Sequence, residues 1–258
     1  MTRPAGVVLA AGHGTRLRPL TTLRPKALCP VGGVPLLDHA LARLVPCTGT
    51  GPAHLAVNAH ALADQVVRHV GDRAHVSVEQ PEALGTAGAL GRLRDWVAGR
   101  DVLVTNADAL LLGPLDELLE GWDGERCRLL VVPAEGPGDF DGHRYVGAAL
   151  LPGRLVAGLA AEPSGLYEVL WRREHEAGRL ELVAFPGTAI DCGTPTDYLR
   201  ANLTVSGGAS VVERGAVVEG TVERCVVWDG AYVGPGEHLV EVVRAGTREE
   251  PVTVPAPQ

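Results

Sequence analysis

Hydrophobic positions in the first half of the chain follow two alternating patterns. Short apolar runs bounded by glycine or proline predict buried strands, and apolar residues spaced three or four apart predict amphipathic helices. Strands that alternate with helices predict right-handed βαβ units, and therefore a mostly parallel sheet flanked by helices. The predicted strands lie near residues 6–11, 54–58, 74–78, 101–105 and 128–132, and the predicted helices cover residues 34–44, 61–70 and a stretch ending near 97.

The chain beyond residue 133 adds strands and helices of a less regular order. Residues 144–150 are a candidate antiparallel strand, and residues 180–185 are predicted to form a further strand. Between them, Ser164 is the expected N-cap of a helix that ends near residue 177. The apolar residues expected on one face of this helix are Leu166, Val169 and Leu170.

A second helix start follows a short strand that ends near residue 193. Thr194 supplies an N-cap hydroxyl, Pro195 takes the first helical position, and Asp197 places an acid at the third. Each of these residue types is favoured at its position, because the first turn of a helix has unpaired N–H groups and a positive dipole end.

From residue 207 onwards, short valine-rich strands recur at about six-residue intervals with glycine turns between them. This texture is similar to the hexapeptide repeats of left-handed β-helices, and a simple β-meander is the alternative. Such repeats generally need three or more coils to be stable, so we expect this short segment to pack on the main domain or on another subunit. The predicted domains are residues 1–205, an appendage at 206–250 and a frayed tail at 251–258.

Charge and composition narrow the classes of partner. The net charge of −8 argues against non-specific binding of nucleic acid, which requires a basic face. No apolar run reaches the length of a membrane span, and we expect no signal peptide, because Thr2-Arg3-Pro4 leads straight into the first predicted strand. The five cysteines are odd in number and widely spaced, and they include no C-x-x-C pair. This pattern indicates reduced thiols. We therefore expect a cytoplasmic protein with no nucleic-acid or membrane partner.

The first predicted strand runs into a glycine-rich stretch with two cations, Arg16 and Lys26. Glycine lets the backbone turn tightly and approach a ligand, and successive N–H groups in such a turn form an anion-binding concavity. The stretch therefore predicts a phosphate site. A P-loop does not fit, because no lysine–serine or lysine–threonine pair follows the glycines. A dinucleotide fingerprint does not fit either, because Leu17 stands where its last glycine would be.

Residues 9–21 (L-A-A-G-H-G-T-R-L-R-P-L-T), followed by Pro25-Lys26 and Pro30-Val31, resemble the signature of the sugar-1-phosphate nucleotidyltransferases. The resemblance covers about residues 5–205. It implies an α/β fold with a Rossmann-like, mixed but mostly parallel sheet of the nucleotide-diphospho-sugar transferase type. It also implies that a sugar 1-phosphate attacks the α-phosphorus of a nucleoside triphosphate. Such a site needs cations, backbone donors and a divalent metal rather than a strong base, because the nucleophile is already an anion.

The resemblance implies a role for each residue of the glycine-rich stretch. Gly12, Gly14 and Thr15 would cradle the triphosphate through backbone groups. Arg16 would pair with the β- and γ-phosphate oxygens, for which its planar fork is suited. Lys26 would lie between the triphosphate and the incoming sugar phosphate, and it forms the predicted catalytic pair with Arg16. The same nucleotide site is predicted to include Leu9 and Ala11.

A later segment resembles the part of the family pattern that holds the nucleoside. Gln80 precedes Gly85-Thr86 by five residues, as in the family's Q-x-x-x-L-G-T. Its primary amide would read the edge of the base, since it both donates and accepts. Gly85 and Thr86 would lie under the base and the ribose. Alternatively, Gln80 is an ordinary loop residue.

Two acids match the family's metal ligands. Asp108 ends an N-x-D segment after a buried strand, and Asp191 stands in I-D-C-G-T-P. Two carboxylates completed by water and phosphate suit Mg²⁺, which is the implied cofactor. Read without the resemblance, either acid serves equally well as a cap of a helix or a turn.

The match is weaker on the sugar side. Glu162-Pro163 lacks the lysine of the family's Glu-Lys-Pro segment and follows, rather than precedes, the strand that contains Gly147. Gly147 is the residue predicted to contact the sugar. The short second half is similar to the compact family members that act on N-acetylmuramate 1-phosphate or mannose 1-phosphate.

Two other functions remain open at this point. A GT-A-type glycosyltransferase uses a nucleotide-sugar on a related fold, but it usually carries D-x-D, and Asn106 stands at the first position here. A non-catalytic regulatory subunit that binds sugar nucleotides would be expected to lose Arg16, Lys26 or a metal ligand. The nucleotidyltransferase would take a nucleoside triphosphate and a sugar 1-phosphate as substrates, and the appendage is a candidate contact for a homo-oligomer.

Overall fold

A computed structural model describes residues 3–256. The strands of the main domain are β1 (Ala5–Leu9), β2 (Pro30–Val31), β3 (Val34–Pro35), β4 (Leu55–Ala59), β5 (His75–Val78), β6 (Val102–Asn106), β7 (Ala109–Leu112), β8 (Cys127–Pro133), β9 (His143–Leu151), β10 (Leu180–Ala184) and β11 (Thr188–Asp191). The helices are α1 (Leu20–Leu23), α2 (Leu36–Thr48), α3 (Ala63–Val70), α4 (Gly85–Arg92), α5 (Arg94–Val97), α6 (Gly153–Val156), α7 (Arg172–Glu176) and α8 (Pro195–Ser206).

The central sheet of the described residues has seven strands in the order β10-β8-β9-β6-β1-β4-β5. Strand β1 is parallel to both β4 and β6, and β4 is parallel to β5. Strand β9 runs antiparallel to β6 and β8, as the sequence predicts. Apolar side chains fill both faces of the sheet, which is why the strands of its centre are nearly uniform apolar runs. The predicted α/β class with a mixed, mostly parallel sheet is confirmed.

The register of the central strands aligns their carboxyl ends. Leu9 of β1 pairs with Asn58 of β4 on one side and with Asn106 of β6 on the other. Ligands of open α/β sheets bind beyond this edge. The loops that leave β1, β4 and β6 therefore meet at one place.

A short antiparallel pair that the sequence analysis did not foresee lies beside this edge. Strand β7 pairs with β11, so that Ala109 lies opposite Asp191. The Cys192 N–H continues the contact by donating to the Asp108 carbonyl at 2.9 Å. This pairing joins two segments some 80 residues apart and brings Asp108 and Asp191 together.

The helix predicted over residues 164–177 is irregular. Residues Tyr167–Trp171 form a π-helical turn that continues into α7. The prediction that Ser164 caps it is wrong, because the Ser164 hydroxyl donates to the Glu162 carbonyl at 3.0 Å. The prediction that Val169 shares one face with Leu166 and Leu170 is also wrong, since Val169 is 40% exposed and the other two are buried. A π turn holds more residues than an α turn, so positions four and five apart share its inner face; they are Leu166, Leu170 and Trp171.

The C-terminal coil (residues 211–255) is built mainly from parallel pairs. Its strands are β12 (Val211–Val212), β13 (Val217–Val218), β14 (Thr221–Glu223), β15 (Val226–Val227), β16 (Tyr232–Val233), β17 (His238–Val240), β18 (Val242–Gly246) and β19 (Pro251–Pro255). Strands β12, β15 and β18 stack in parallel, as do β13 on β16 and β14 on β17. Consecutive strands of a meander pair antiparallel, so the β-helix-like prediction is confirmed and the meander is not.

The tail predicted at 251–258 is wrong for residues 251–255. They form β19, which pairs antiparallel with β18, and Ala256 beyond it is buried. Alternating Val252 and Val254 supply the apolar face that this strand needs. Residues 257 and 258 lie outside the described part of the chain.

The cysteines are interior residues. All five cysteines lie within the described residues and are buried and unpaired. Burial raises the pKa of Cys29, Cys127 and Cys192 to about 12, which keeps these thiols protonated and inert. No helix within residues 3–256 has both the length and the apolar content that crossing a membrane requires.

Candidate active site

The carboxyl end of β6 separates the two cavities that contain most of the predicted site residues. One cavity of about 200 Å³ lies on the β1 side, and another of about 380 Å³ lies on the β9 side. Asn106 and Asp108 line both. A ligand in one cavity can therefore meet a ligand in the other above Asp108.

The cavity on the β1 side, which we call the nucleotide-side cavity, collects most of the residues predicted to bind nucleotide. The residues that line it are Leu9, Ala11, Gly12, His13, Asn58, Ala83, Gly85, Thr86, Asn106 and Asp108. Four of these residues are not among those that the sequence predicts to bind nucleotide: His13, Asn58, Ala83 and Asn106. The wall is mostly apolar with a few polar groups, as small-molecule sites usually are.

Gly12 and Gly14 are glycines for different reasons. A Cβ at Gly14 would lie 2.8 Å from Thr21 Cγ2, and its φ of +61° is a conformation that favours glycine. A Cβ at Gly12 would meet nothing within 4 Å. Internal packing therefore accounts for Gly14, whereas the open space beside Gly12 belongs to the cavity and suits a ligand that lies against the backbone.

Gly85 and Thr86 lie in the cavity wall and also fasten it. A Cβ at Gly85 would lie 2.5 Å from the Ser164 carbonyl oxygen. The Thr86 hydroxyl accepts a hydrogen bond from the Leu166 N–H at 2.8 Å. The start of α4 is thereby held against the chain that leads into the π-helical turn.

Gln80 is placed differently from the other predicted nucleotide residues. It lines a separate cavity with His60 and residues of α3, while Ala83 from the same loop lines the nucleotide-side cavity. The structure thus brings the loop, but not the Gln80 side chain, to the nucleotide-side cavity. The contact of Gln80 with a base stays a prediction.

A buried polar network ties the loops of the nucleotide-side cavity together. Asn58 Oδ1 accepts from the Ala10 N–H at 2.6 Å, and Asn58 Nδ2 donates to Glu79 Oε1 at 2.8 Å. Glu79 Oε2 accepts from the Leu84 N–H at 2.7 Å. Glu79 is fully buried, which is rare for a glutamate. No pattern in the sequence indicates that Asn58 or Glu79 belongs to the site.

Lys26 lines neither cavity and lies between the two predicted metal ligands, of which Asp108 lines both cavities and Asp191 lines the one on the β9 side. Its Nζ is 2.6 Å from Asp108 Oδ2 and 3.6 Å from Asp191 Oδ1. The side chain is only 8% exposed, whereas those of Asp108 and Asp191 are 39% and 51% exposed. Arg16 Nη2 lies 3.6 Å from Asp191 Oδ2, so these two cations and two acids form one cluster.

The acidic pair fits a divalent cation that keeps water and phosphate in its coordination shell. Asp108 and Asp191 converge on one ammonium group from different strands, so their oxygens point to a common centre of positive charge. Among residues 3–256 there is no cluster of three or more histidine, cysteine or acidic side chains arranged to hold a metal. The donor set is thus of the kind Mg²⁺ uses with substrate phosphates, not a complete protein cage.

Behind this cluster, the buried guanidinium of Arg43 fastens β7. It donates to the Leu111 carbonyl at 3.3 Å and to Thr105 Oγ1 at 3.2 Å. Burial lowers the pKa of Arg43 to about 10, so the group stays charged at neutral pH. The sequence does not indicate that Arg43 is buried and bonds to β7. It shows only a cation on the polar side of a predicted helix.

The cavity on the β9 side, which we call the acceptor-side cavity, is lined by Gly147, the residue predicted to contact the sugar, together with Arg16, Asp191 and Arg144. A Cβ at Gly147 would lie 2.9 Å from Ala109 Cβ, so glycine lets β9 approach β7 closely. Asp139 in the wall accepts from the Tyr145 N–H at 2.8 Å. Arg144 forms no ion pair with any acid of residues 3–256.

Thr15 and Gly14 lie in the loop but outside both cavity walls. Thr15 begins a short 3₁₀ turn that carries Arg16 toward Asp191. The structure therefore brings together Leu9, Ala11, Gly12, Arg16, Lys26, Gly85, Thr86, Asp108, Gly147 and Asp191, and leaves Gln80, Gly14 and Thr15 at the margin.

Comparison with known proteins gives a consistent result. A model of the nucleotidyl transferase family matches residues 5–131. The chain is 31% identical over 230 residues to the N-acetylmuramate alpha-1-phosphate uridylyltransferase of Caulobacter vibrioides, covering 76% of this chain and 94% of that relative. It is 28% identical over 265 residues to a glucose-1-phosphate thymidylyltransferase of Streptomyces antibioticus, covering 88% and 74%.

A solved structure of a mannose-1-phosphate geranyltransferase from Thermus thermophilus matches with a TM-score of 0.73 over 99% of this chain and 96% of that chain. At 20% identity this likeness concerns the fold alone. The uridylyltransferase, by contrast, is matched over nearly its whole length at a higher identity. The chain therefore belongs to the sugar-1-phosphate nucleotidyltransferase family.

Proposed function

We propose that this protein transfers a nucleotidyl group from a nucleoside triphosphate to a sugar 1-phosphate, releasing pyrophosphate. The observation that carries the proposal is the contact of Lys26 with Asp108, the residue at the junction of the two cavities, and its approach to Asp191. Membership of the family supports the reaction class. A cation and two acids at this junction suit a reaction that joins two phosphate-bearing substrates.

The nucleoside triphosphate would occupy the nucleotide-side cavity. Gly12 offers open backbone there, and Gly85 and Thr86 are also part of the wall. Its phosphates would extend toward Arg16 and Lys26. Gln80 would contact the base only if its side chain turned away from its present cavity. The main chain of its loop lies nearer to the nucleotide-side cavity and is the part of the loop that we propose contacts the base.

The sugar 1-phosphate would occupy the acceptor-side cavity, with its phosphate beside Lys26. One of its phosphate oxygens attacks the α-phosphorus in line. A bond forms between that oxygen and the α-phosphorus, while the bond from the α-phosphorus to the bridging oxygen of the β-phosphate breaks. Lys26 offsets the repulsion between the two anions, and Arg16 stabilises the charge that develops on the departing pyrophosphate.

Asp108 and Asp191 would hold Mg²⁺, whose chemistry when bound is to neutralise phosphate charge and fix the reacting oxygens. With the metal bound, both carboxylates would be shared between the ion and Lys26. The Lys26 side chain is nearly buried and has little freedom to move toward the phosphate. Its backbone must therefore hold the ammonium group at the correct position.

For the substrates we propose only their classes, a nucleoside triphosphate and a sugar 1-phosphate. The named relatives include uridylyl- and thymidylyltransferases with different sugars. On the acceptor side, Arg144 is a cation without an acidic partner among the described residues, and we propose that it binds an anionic group of the acceptor. The unpaired buried thiols fit a reducing compartment, and we propose the cytoplasm.

The test is pyrophosphate release in the presence of Mg²⁺, with each nucleoside triphosphate crossed against a panel of sugar 1-phosphates. Release that requires one particular pair is expected. Failure across the panel, from folded protein that still binds a triphosphate, would favour a regulatory subunit. Consumption of a nucleotide-sugar without pyrophosphate would favour a glycosyltransferase, for which the cluster around Arg16 and Lys26 has no evident use.

A further inference from the structure

A single chain of contacts links the C-terminal coil to the loop that carries Lys26. Trp228 of the coil is almost completely buried, and its indole Nε1–H donates to the Tyr198 hydroxyl at 3.0 Å. The Tyr198 hydroxyl in turn donates to the carbonyl of Pro30. Tyr198 lies in the first turn of α8, so this helix contacts both the coil and the loop.

The segment of residues 24–32, which we call the Lys26 segment, is held at both ends by these elements. At one end the Arg24 guanidinium lies over the Trp228 ring, 4.2 Å from its centre. At the other end the Gly32 N–H donates to Asn202 Oδ1 of α8 at 3.0 Å. A cation over a desolvated indole face is among the stronger contacts of this kind.

The apolar core beneath this segment is shared with the coil. One cluster of buried side chains combines residues of the glycine-rich loop, of α8 and of the coil; it includes Leu17, Cys29, Val31, Tyr198, Trp228 and Val243. Leu17 follows Arg16 directly. Both proposed catalytic cations are thus carried by a loop whose inner side rests on the coil.

A neighbouring cluster inside the coil does not reach the loop. It contains Val227, Ala231 and Val233, with partly buried residues from other strands of the coil packed against it. Val227 and Trp228 are adjacent in the chain and both buried, yet they point into different cores. The coil therefore has one core of its own and another that it shares with the active-site loop.

We propose that the C-terminal coil is a positioning element of the active site, which acts through Trp228 and Tyr198 to fix the Lys26 segment. This inference rests on the proposed function for its kinetic consequence, but not for the contact itself. Lys26 is nearly buried and reaches Asp108 at 2.6 Å, so a shift of its backbone moves the ammonium directly. Misplacement of a catalytic group by about 1 Å can cost up to about a hundredfold in rate.

The test compares Trp228→Leu with Val227→Ala in the full-length protein. Both substitutions remove buried contacts of the coil, but only Trp228→Leu removes the indole contacts to Arg24 and Tyr198. At a temperature where thermal curves show both variants folded, we expect Trp228→Leu to lower kcat by about tenfold with an unchanged KM for the triphosphate. Val227→Ala is expected to stay within about twofold of the wild type. Equal kcat for the two variants would overturn the proposal.

Hydrogen exchange supplies a readout that needs no activity. The Leu28 and Cys29 N–H groups bond within the Lys26 segment, to the carbonyls of Pro25 and Lys26. We expect their exchange to quicken in Trp228→Leu and to stay unchanged in Val227→Ala. If the wild type proves inactive, the difference in exchange between the two variants still tests whether the coil fixes the Lys26 segment. Equal exchange in the two variants would overturn the proposal.

Two conservative variants cover the case in which Trp228→Leu does not fold. Trp228→Phe keeps an aromatic face for Arg24 and loses the Nε1–H donor, and Tyr198→Phe loses the hydroxyl that links Trp228 to Pro30. We expect each to lower kcat less than Trp228→Leu does, and their effects to be non-additive in the double variant because they break one chain of contacts. Wild-type kcat in both would contradict the proposal.

Discussion

Asn58 joins Glu79 to the glycine-rich loop through a single side-chain amide. Its nitrogen donates to Glu79 Oε1 at 2.8 Å, and its oxygen accepts from the Ala10 N–H at 2.6 Å. Both residues are buried, so these bonds are made away from competing water. The two walls of the nucleotide-side cavity are therefore set relative to each other before any ligand binds.

Glu79→Gln tests this connection. Both partners of the carboxylate, Asn58 Nδ2 and the Leu84 N–H, are donors, so a glutamine nitrogen must face a donor. We expect the free energy of unfolding to fall by about 1–3 kcal/mol and KM for the triphosphate to rise by about tenfold. Chemical denaturation and initial-rate kinetics measure the two effects. Glu82→Gln, on the exposed part of the same loop, is the control, and equal behaviour of the two variants would contradict the role of Glu79.

Gly12→Ala and Gly88→Ala are expected to fail in opposite ways. A Cβ at Gly88 would lie 2.2 Å from the Glu162 carbonyl oxygen, so Gly88→Ala should lower the free energy of unfolding by about 1–3 kcal/mol. A Cβ at Gly12 enters open space, so Gly12→Ala should keep wild-type stability and raise KM for the triphosphate by about tenfold or more. Thermal unfolding and kinetics on both variants decide this. A strongly destabilised Gly12→Ala variant would show that the space beside Gly12 is needed for folding and is not reserved for a ligand.

Lys26→Ala is expected to lower kcat by about a hundredfold or more, comparable to the loss of one preorganised electrostatic stabiliser. The reason is the loss of the charge that offsets repulsion between the two substrates at the junction of the cavities. Pyrophosphate release under saturating substrates is the measurement, and Arg18→Ala, an exposed cation of the same loop, is the control. Near-wild-type turnover of Lys26→Ala would remove the residue from the mechanism.

Asp108→Asn is expected to raise the Mg²⁺ concentration needed for half-maximal rate, because an amide is a weaker ligand than a carboxylate. Its oxygen can still accept from Lys26, so thermal stability should change little. A Mg²⁺ titration of the rate measures the effect, with Asp95→Asn on an exposed helical turn as the control. An unfolded Asp108→Asn protein would instead support a purely structural role.

Arg144→Ala is expected to raise KM for the sugar 1-phosphate by about tenfold while leaving KM for the triphosphate unchanged. Charge-assisted contact with an acceptor anion is the reason. Arg154→Ala serves as the control, since Arg154 lines a different cavity and is paired with Glu125. A sugar with a carboxylate, compared with its neutral counterpart, tells whether Arg144 holds the acceptor's phosphate or a second anion. An unchanged acceptor KM with both sugars would exclude Arg144 from the site.

Local signals were enough where the chemistry is local. Thr194 accepts a hydrogen bond from the Asp197 N–H at 3.2 Å, as the helix-start pattern requires. The glycine-rich stretch follows β1 as predicted, because a short apolar run bounded by glycines has few alternatives. The parallel pairing of the C-terminal coil likewise follows from its regular interval of valines and glycines.

What the sequence could not show is contact across long separations. Strand β7 follows β6 after two residues, and only its pairing with β11 marks it as a separate strand. Glu79 lies in a stretch that has the composition of a solvated loop. No neighbouring residue indicates that its carboxylate pairs with the buried Asn58, 21 residues away. The place of Trp228 under Arg24 depends in the same way on how the coil packs against α8, which no pattern within the coil encodes.

The cavities that share Asn106 and Asp108 are filled together by one molecule once the nucleotide has been joined to the sugar. Under the proposed function, each substrate leaves the other's cavity open, so neither blocks entry of the second. The nucleotide-sugar gathers the contacts of both cavities through one covalent link, which raises its affinity above that of either half. Under the proposed function, a product that spans both cavities would therefore leave more slowly than either substrate, and an accumulating nucleotide-sugar would compete with both substrates for the site.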